Sequence, residues 1–289
     1  MKAQCNRSQL VMVSVMGAVS HPSTSTETPY VLTADGVPRV LPSAGGITYN
    51  VRIGDCVFGF AADHMEPGVT IKNPDEHENA SLNTLACVGN AATVVSGDAK
   101  GARGFVSGTH GGYEHVLIYF QPETLEKLVI GDKILIRSYG QGMQISGFEH
   151  TVHAMNLDPD LFERLDIRVE GDTLSVPVAA VIPAHLMGSG IGKNSVHRGD
   201  YDIMTSDREE LARHKLDSLR FGDIVLLENC DNSFGRSFRT GASSIGVVVH
   251  SDCIQAGHGP GVTTLLTSPL GKLKARLDPS ANLSNYLTF

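Results

Sequence analysis

The chain has 289 residues, enough for one large domain or for two of about half that size. Charged residues make up 19% and hydrophobic residues 41%, which excludes a disordered or low-complexity chain. The net charge of −8, without any Lys/Arg run, excludes the basic track that nucleic acid requires, and no stretch approaches the ~20 apolar residues that span a bilayer as a helix.

In chain order, Val11, Val13 and Val15 alternate with Met12, Ser14 and Met16. That period of two predicts a first strand, in preference to the apolar centre of a targeting segment behind Lys2 and Arg7. Three Gly-Asp turns follow further on, Gly54-Asp55, Gly131-Asp132 and Gly222-Asp223, each ahead of an apolar run, and each predicts a strand. Their wide and unequal spacing excludes a solenoid array. Helical signals are short. Residues 122–128 and 158–165 open with a proline near the first turn, and 206–215 begins with Ser206 three residues before Glu209, a capping-box pattern. A strand is expected over 174–182. With 31 glycines and 13 prolines, the fold expected is mainly β (α+β): two β-rich, barrel- or sandwich-like domains with a few short helices, divided as 1–148 and 149–289.

The five cysteines are widely spaced and contain no Cys-x-x-Cys pair, which argues against a disulfide framework or a structural zinc site and suits a cytoplasmic, reducing compartment. Chemistry concentrates elsewhere. The β-branched run 244–249 ends in His250-Ser251-Asp252, then opens into a glycine-rich loop holding His258. If the strand persists that far, His250 and Asp252 leave from one face. Asp200 and Asp202 repeat the i, i+2 spacing and supply oxygen donors. The metal ligands expected are therefore His250, Asp252, His258, Asp200 and Asp202, holding Zn, Mn or Mg.

The first half has its own polar turns, Asp63-His64-Met65-Glu66 and His110-Gly111-Gly112-Tyr113-Glu114-His115. The latter spacing differs from His-x-x-Glu-His and precedes a strand, which excludes that peptidase motif. His64, His110, Glu114 and His115 are the candidates for acid–base work. Gly188 and Gly190 suit a backbone nest for an anion, beside Asn194, and Arg236 can clamp a carboxylate. The glycine pattern fits neither nucleotide-binding loop, so no nucleotide cofactor is expected. Cys253, between two histidines, is a weaker candidate nucleophile.

These stretches together resemble one family, labelled domain of unknown function 4438 and described in N- and C-terminal portions. The resemblance runs through GGITYNVRIG (45–54), DHMEPG (63–68), CVGN (87–90), GDAKG (97–101), HGGYEHV (110–116), LMGSG (186–190), GDYDI (199–203), FGDIV (221–225) and the stretch 246–262. It implies a two-part chain and carries over no catalytic residue. A fainter similarity, at the level of fold, is to the β-rich, metal-dependent acetamidase/formamidase amidases. Lys193-Asn194, Asp200, Asp202, His250 and Gly257-His258-Gly259 follow the order of their motifs, although no acid stands in the His258-Gly259-Pro260 loop where those amidases require one.

The function expected is that of a metal-dependent enzyme acting on a small polar metabolite, with C–N bond hydrolysis (amide or lactam) the best fit. A non-catalytic protein binding a small anion or metabolite, and a structural oligomer-forming protein, are the alternatives. A small-molecule ligand and self-association into a homo-oligomer are expected, with neither nucleic acid nor membrane as partner.

Overall fold

The computed structural model describes residues 1–23, 29–190 and 195–287. The chain is mostly β and forms two domains. In the first, six strands close into a barrel. Val13–Val19 pairs antiparallel with Lys133–Ser138, and the order continues through Ala91–Val94, Arg103–His110, His115–Tyr119 and Gly68–Lys72. Closure comes where Ala18 and Val19 meet Lys72 and Ile71. Val19, Val69, Ile71, Val106, Val116, Ile118, Ile134 and Ile136 fill the interior as one cluster. Period-two alternation supplies such an inward-facing set from each strand.

The second domain is built on a five-stranded sheet in the order His153–Ala154, Val262–Ser268, Ser237–Val248, Ile224–Asp231, Ala180–Ile182. A three-stranded sheet of Arg168–Glu170, Thr173–Val178 and Leu273–Leu277 lies beside it. Among the described residues no helix is long and apolar enough to cross a membrane.

The two domains share a core. Phe105 and Leu117 on barrel strands belong to one buried cluster with Ile245, Val247 and Leu265 of the second sheet and with Val249 just beyond it. Two hydrogen bonds sew the strands together there: Thr109 N–H donates to Thr263 Oγ1 (3.1 Å), and the Thr263 hydroxyl donates to the Thr109 carbonyl (3.0 Å). Gly108 permits the approach, because a Cβ at that position would stand 2.3 Å from Val249 Cγ1.

Several sequence expectations change in detail. All three Gly-Asp turns use the same chemistry, the aspartate accepting from the N–H three residues earlier: Arg52, Val129 and Arg220. Gly131-Asp132 and Gly222-Asp223 do lead into strands, but Gly54-Asp55 does not. There Cys56 makes only an isolated bridge to Arg220, and positive φ at Gly59 (90°) interrupts the run beyond it. The run 174–182 splits between two sheets, as Thr173–Val178 and Ala180–Ile182. The helix near 206–215 is Arg208–Arg213, and Asp207 rather than Ser206 caps it, accepting from Glu210 N–H at 3.0 Å. The longest helix, Glu76–Leu85, carries no strong apolar period. Its buried face holds Asn79 and Asn83 beside Leu82, and both asparagines donate to the Glu114 carbonyl (3.1 Å each). This helix therefore anchors the turn between His110 and His115.

Candidate metal centre between the two domains

The shared interface opens into a cavity of about 510 Å³, lined from both domains by His64, His110, Asp200, Asp202, Arg236 and His258 among others. Local structure explains the convergence. His110 ends one barrel strand and His115 starts the next, across a turn with positive φ at Gly112 (80°) and Glu114 (57°). Asp200 and Asp202 lie on an extended segment held against the glycine-rich loop, where Tyr201 and Val262 exchange two backbone hydrogen bonds of 3.0 Å. The i, i+2 spacing then turns both carboxylates to one side. His250 follows the long strand Ser237–Val248 and is fully buried. Ser251 ties it to the barrel loop, its N–H donating to the Met65 carbonyl and its hydroxyl accepting from Met65 N–H, both at 2.8 Å. In that loop His64 itself takes φ 52°, an uncommon conformation for a residue with a Cβ.

One ring nitrogen from each of His64, His110 and His250 lies within 4.8 Å of the other two, and the same holds for donor atoms of Asp200, Asp202 and His250. The Nδ1 atom of each of the three histidines is already engaged. That of His64 donates to Asp63 (3.0 Å), that of His110 to Glu66, and that of His250 to the Ser251 carbonyl (2.9 Å). Nε2 is the nitrogen in each ring that could ligate an ion, although that of His64 lies 3.3 Å from His258 Nδ1 and that of His250 contacts Asp200. An acceptor behind the imidazole fixes its tautomer and orientation and raises its basicity, as in protein metal sites generally. The rings of His110 and His250 stack with centroids 4.3 Å apart.

The carboxylates complete the cluster. His250 Nε2 reaches Asp200 at 2.7 Å and Asp202 at 3.6 Å, and His258 Nδ1 donates to Asp202 at 2.9 Å. Burial alone would raise these carboxyl groups. The charges of His110 and His250 hold Asp200 below the usual carboxylate range, and the nearby His250 (3.6 Å), the hydrogen bond from His258 and the nearby His64 (3.8 Å) hold Asp202 well below it. Burial would likewise lower His64 and His250. The Asp202 carboxylate 3.8 Å away and the hydrogen bond to Asp63 instead raise His64 to about 11, and Asp200 and Asp202 raise His250 well above its ordinary value. His110 goes the other way: burial, with the charge of His250, lowers it. Glu66 is buried and stays ionised because His110 and His115 outweigh its desolvation, and it accepts from His110 Nδ1.

Of the residues singled out from sequence, His64, His110, Asp200, Asp202, His250 and His258 come together here. Asp252 does not. Its carboxylate accepts from Thr205, Arg208 and Cys253 N–H, because the backbone turns after His250 instead of continuing as a strand. His115 is buried behind Glu66 (Nδ1 to Oε1 3.7 Å) and stacks on Tyr113, while Glu114 sits on the cavity wall, 3.6 Å from Arg198. Gly190 and Arg236 line the cavity, whereas Gly188 packs against Gly257 and Met204. Asn194 lies outside the described residues. Cys253 donates its thiol hydrogen to Asp63 (2.9 Å), and burial pushes that thiol up to about 11, so it is no thiolate nucleophile near neutrality. The supporting parts played by Asp63, Glu66 and Ser251 have no sequence signal beyond their closeness to histidines.

A two-domain β protein with a histidine–carboxylate cluster at the domain junction is the class that this fold and site define. The chain belongs to the family described as domain of unknown function DUF4438: residues 30–163 match its N-terminal portion and residues 164–287 its C-terminal portion. It is similar along its whole length to a protein of solved structure, "Crystal structure of TM1086", at 47% identity with 100% of each chain covered and a TM-score of 0.93. No curated protein matches it.

Proposed function

We propose that this protein is a metal-dependent hydrolase of a small polar molecule, with a divalent ion held by His64, His110 and His250 together with Asp200 and Asp202. The observation that carries this reading is the set of three imidazoles, each with Nδ1 fastened to an acceptor, beside two buried carboxylates. The mixture of imidazole nitrogen and carboxylate oxygen suits Zn, Mn or Fe. Charge supports it as well. His64 and His250 are held protonated, and a divalent cation that displaced those two protons would leave the balance of the cluster unchanged. When bound, such an ion lowers the pKa of a coordinated water toward neutrality and polarises a carbonyl.

The chain's own groups supply the rest. His258 is the only histidine of the cluster with a partly exposed side chain (32%), and its Nδ1 is held by Asp202. Its Nε2 is placed to take a proton from water and to return one to a leaving group. An amide or lactam C–N bond is the first bond to try, given the partial likeness of motif order to the acetamidase/formamidase amidases.

Elemental analysis of the purified protein, before and after chelation and beside His110→Ala and His250→Ala, tests the centre. Near-stoichiometric Zn, Mn or Fe in the wild type, lost in both variants, is expected. No metal in any of them after reconstitution overturns the reading. A metal-loaded protein that cleaves none of a panel of amides, lactams and esters would retain the centre and lose the hydrolase.

A further inference from the structure

Arg236 stands immediately before the strand Ser237–Val248 and sends its side chain into the cavity wall, where it is only 3% exposed. A buried guanidinium has five N–H donors to satisfy. Here Nη1 donates to the Ser195 carbonyl at 3.2 Å, while Nε and Nη2 have no acceptor among the described residues. Those two nitrogens form one edge of the guanidinium, the fork that takes both oxygens of a carboxylate in parallel.

Glycines flank the side chain: a Cβ on Gly199 would stand 3.4 Å from Nη2, and one on Gly190 would stand 3.2 Å from Cδ. The nearby acids are committed elsewhere. Asp200 accepts from Gly111 N–H (2.8 Å) and from His250, Asp202 accepts from His258, and Glu114 pairs with Arg198. No described protein carboxylate serves the fork; Nε and Nη2 are themselves shielded from solvent, but Arg236 lines the cavity beside the histidine–carboxylate cluster.

We propose that the substrate is a small monocarboxylate, whose carboxylate docks on the Nε/Nη2 edge of Arg236 and so directs the rest of the molecule toward the histidine–aspartate cluster. The step from ligand to substrate rests on the hydrolase reading above; the binding does not. A single guanidinium beside Asp200, Asp202 and Glu114 matches one negative charge better than the two of a phosphate monoester. Planarity favours a carboxylate for the same edge.

Isothermal titration of the full-length protein with acetate, with acetamide as the uncharged isostere, and with inorganic phosphate tests this. Each titration is run on metal-loaded and on chelated protein, because acetate can also ligate an ion. Acetate is expected to bind the wild type at least tenfold more tightly than acetamide, in both states. Arg236→Gln should lose that preference, and Arg236→Lys, which keeps the charge but not the fork, should retain only part of it. Acetate affinity unchanged in Arg236→Gln, equal binding of acetate and acetamide, or an Arg236-dependent preference for phosphate would each overturn the proposal. Should Arg236→Gln fail to fold, the wild-type comparison and Arg236→Lys still decide. A protein without metal would end the hydrolase reading yet leave the chelated-state titration fully informative.

Discussion

Glu66 is 2% exposed and has both oxygens engaged, one by the His110 ring and the other by Gly45 N–H at 2.7 Å. Its carboxylate fixes the tautomer and orientation of His110. Glu66→Gln keeps the shape and removes the charge, and is expected to weaken metal affinity by about 10- to 100-fold, the range seen when such supporting acceptors are changed. Competition with a chromophoric chelator measures this, and an unchanged affinity would reduce Glu66 to a packing role. Asp252 offers the opposite case. Its ion-pair partner Arg208 is 58% exposed, so the pair is largely screened. Asp252→Asn should leave metal content untouched and cost no more than about 1 kcal/mol in a denaturant titration. Metal loss in that variant would return Asp252 to the centre.

The glycine-rich loop shows how an element can serve a site through what it lacks. A Cβ on Gly261 would stand 1.8 Å from Asp200 Oδ2 and 2.2 Å from His250 Nε2, wedging apart the pair that both domains converge on. On Gly257 a Cβ would meet nothing within 4 Å, and only the positive φ of 79° opposes it. Gly261→Ala is therefore expected to abolish metal binding, whereas Gly257→Ala should bind normally and lose roughly 1–2 kcal/mol of stability. Elemental analysis with thermal melts separates them, and equal metal content in the two would remove the steric argument. The same loop marks what the chain spells out locally. Two Gly-Asp turns, the proline-led helices and the spacing of Asp200 and Asp202 are legible because turn chemistry and period two act over a few residues. The helix Glu76–Leu85 is not, since its inner face carries asparagines whose partner, the Glu114 carbonyl, lies far along the chain. Asp252 misleads for a related reason: whether a strand continues past His250 depends on pairing with distant segments.

At the scale of the whole molecule, a site assembled across a shared core couples metal, protons and folding. In the chelated protein the buried His64–Asp63 pair contributes to the pH profile of stability, beside His250, Asp200, Asp202 and Glu66. Burial would lower His64, but the nearby Asp202 carboxylate and the hydrogen bond to Asp63 raise it from 6.5 to about 11. Burial would raise Asp63, but His64 brings it from 3.8 down to about 2. The stabilisation from the raised histidine is complete below pH 6.5 and fades as pH climbs toward 11. That from the depressed carboxyl is complete above pH 3.8 and fades as pH falls toward 2. The contribution of this pair to metal-free stability is thus greatest between those two ordinary values. A bound ion requires the imidazoles as lone-pair donors, so it competes with protons and gains affinity as pH rises. Loading at a hundredfold excess over Kd is worth about 2.7 kcal/mol, on the order of 5 °C or more in Tm for a chain of this length. Melts of chelated and loaded protein across pH should therefore diverge on the alkaline side, with the loaded optimum displaced above pH 6.5. Two curves that stay parallel from acid to alkali would mean that the ion and the histidine protons do not share a site.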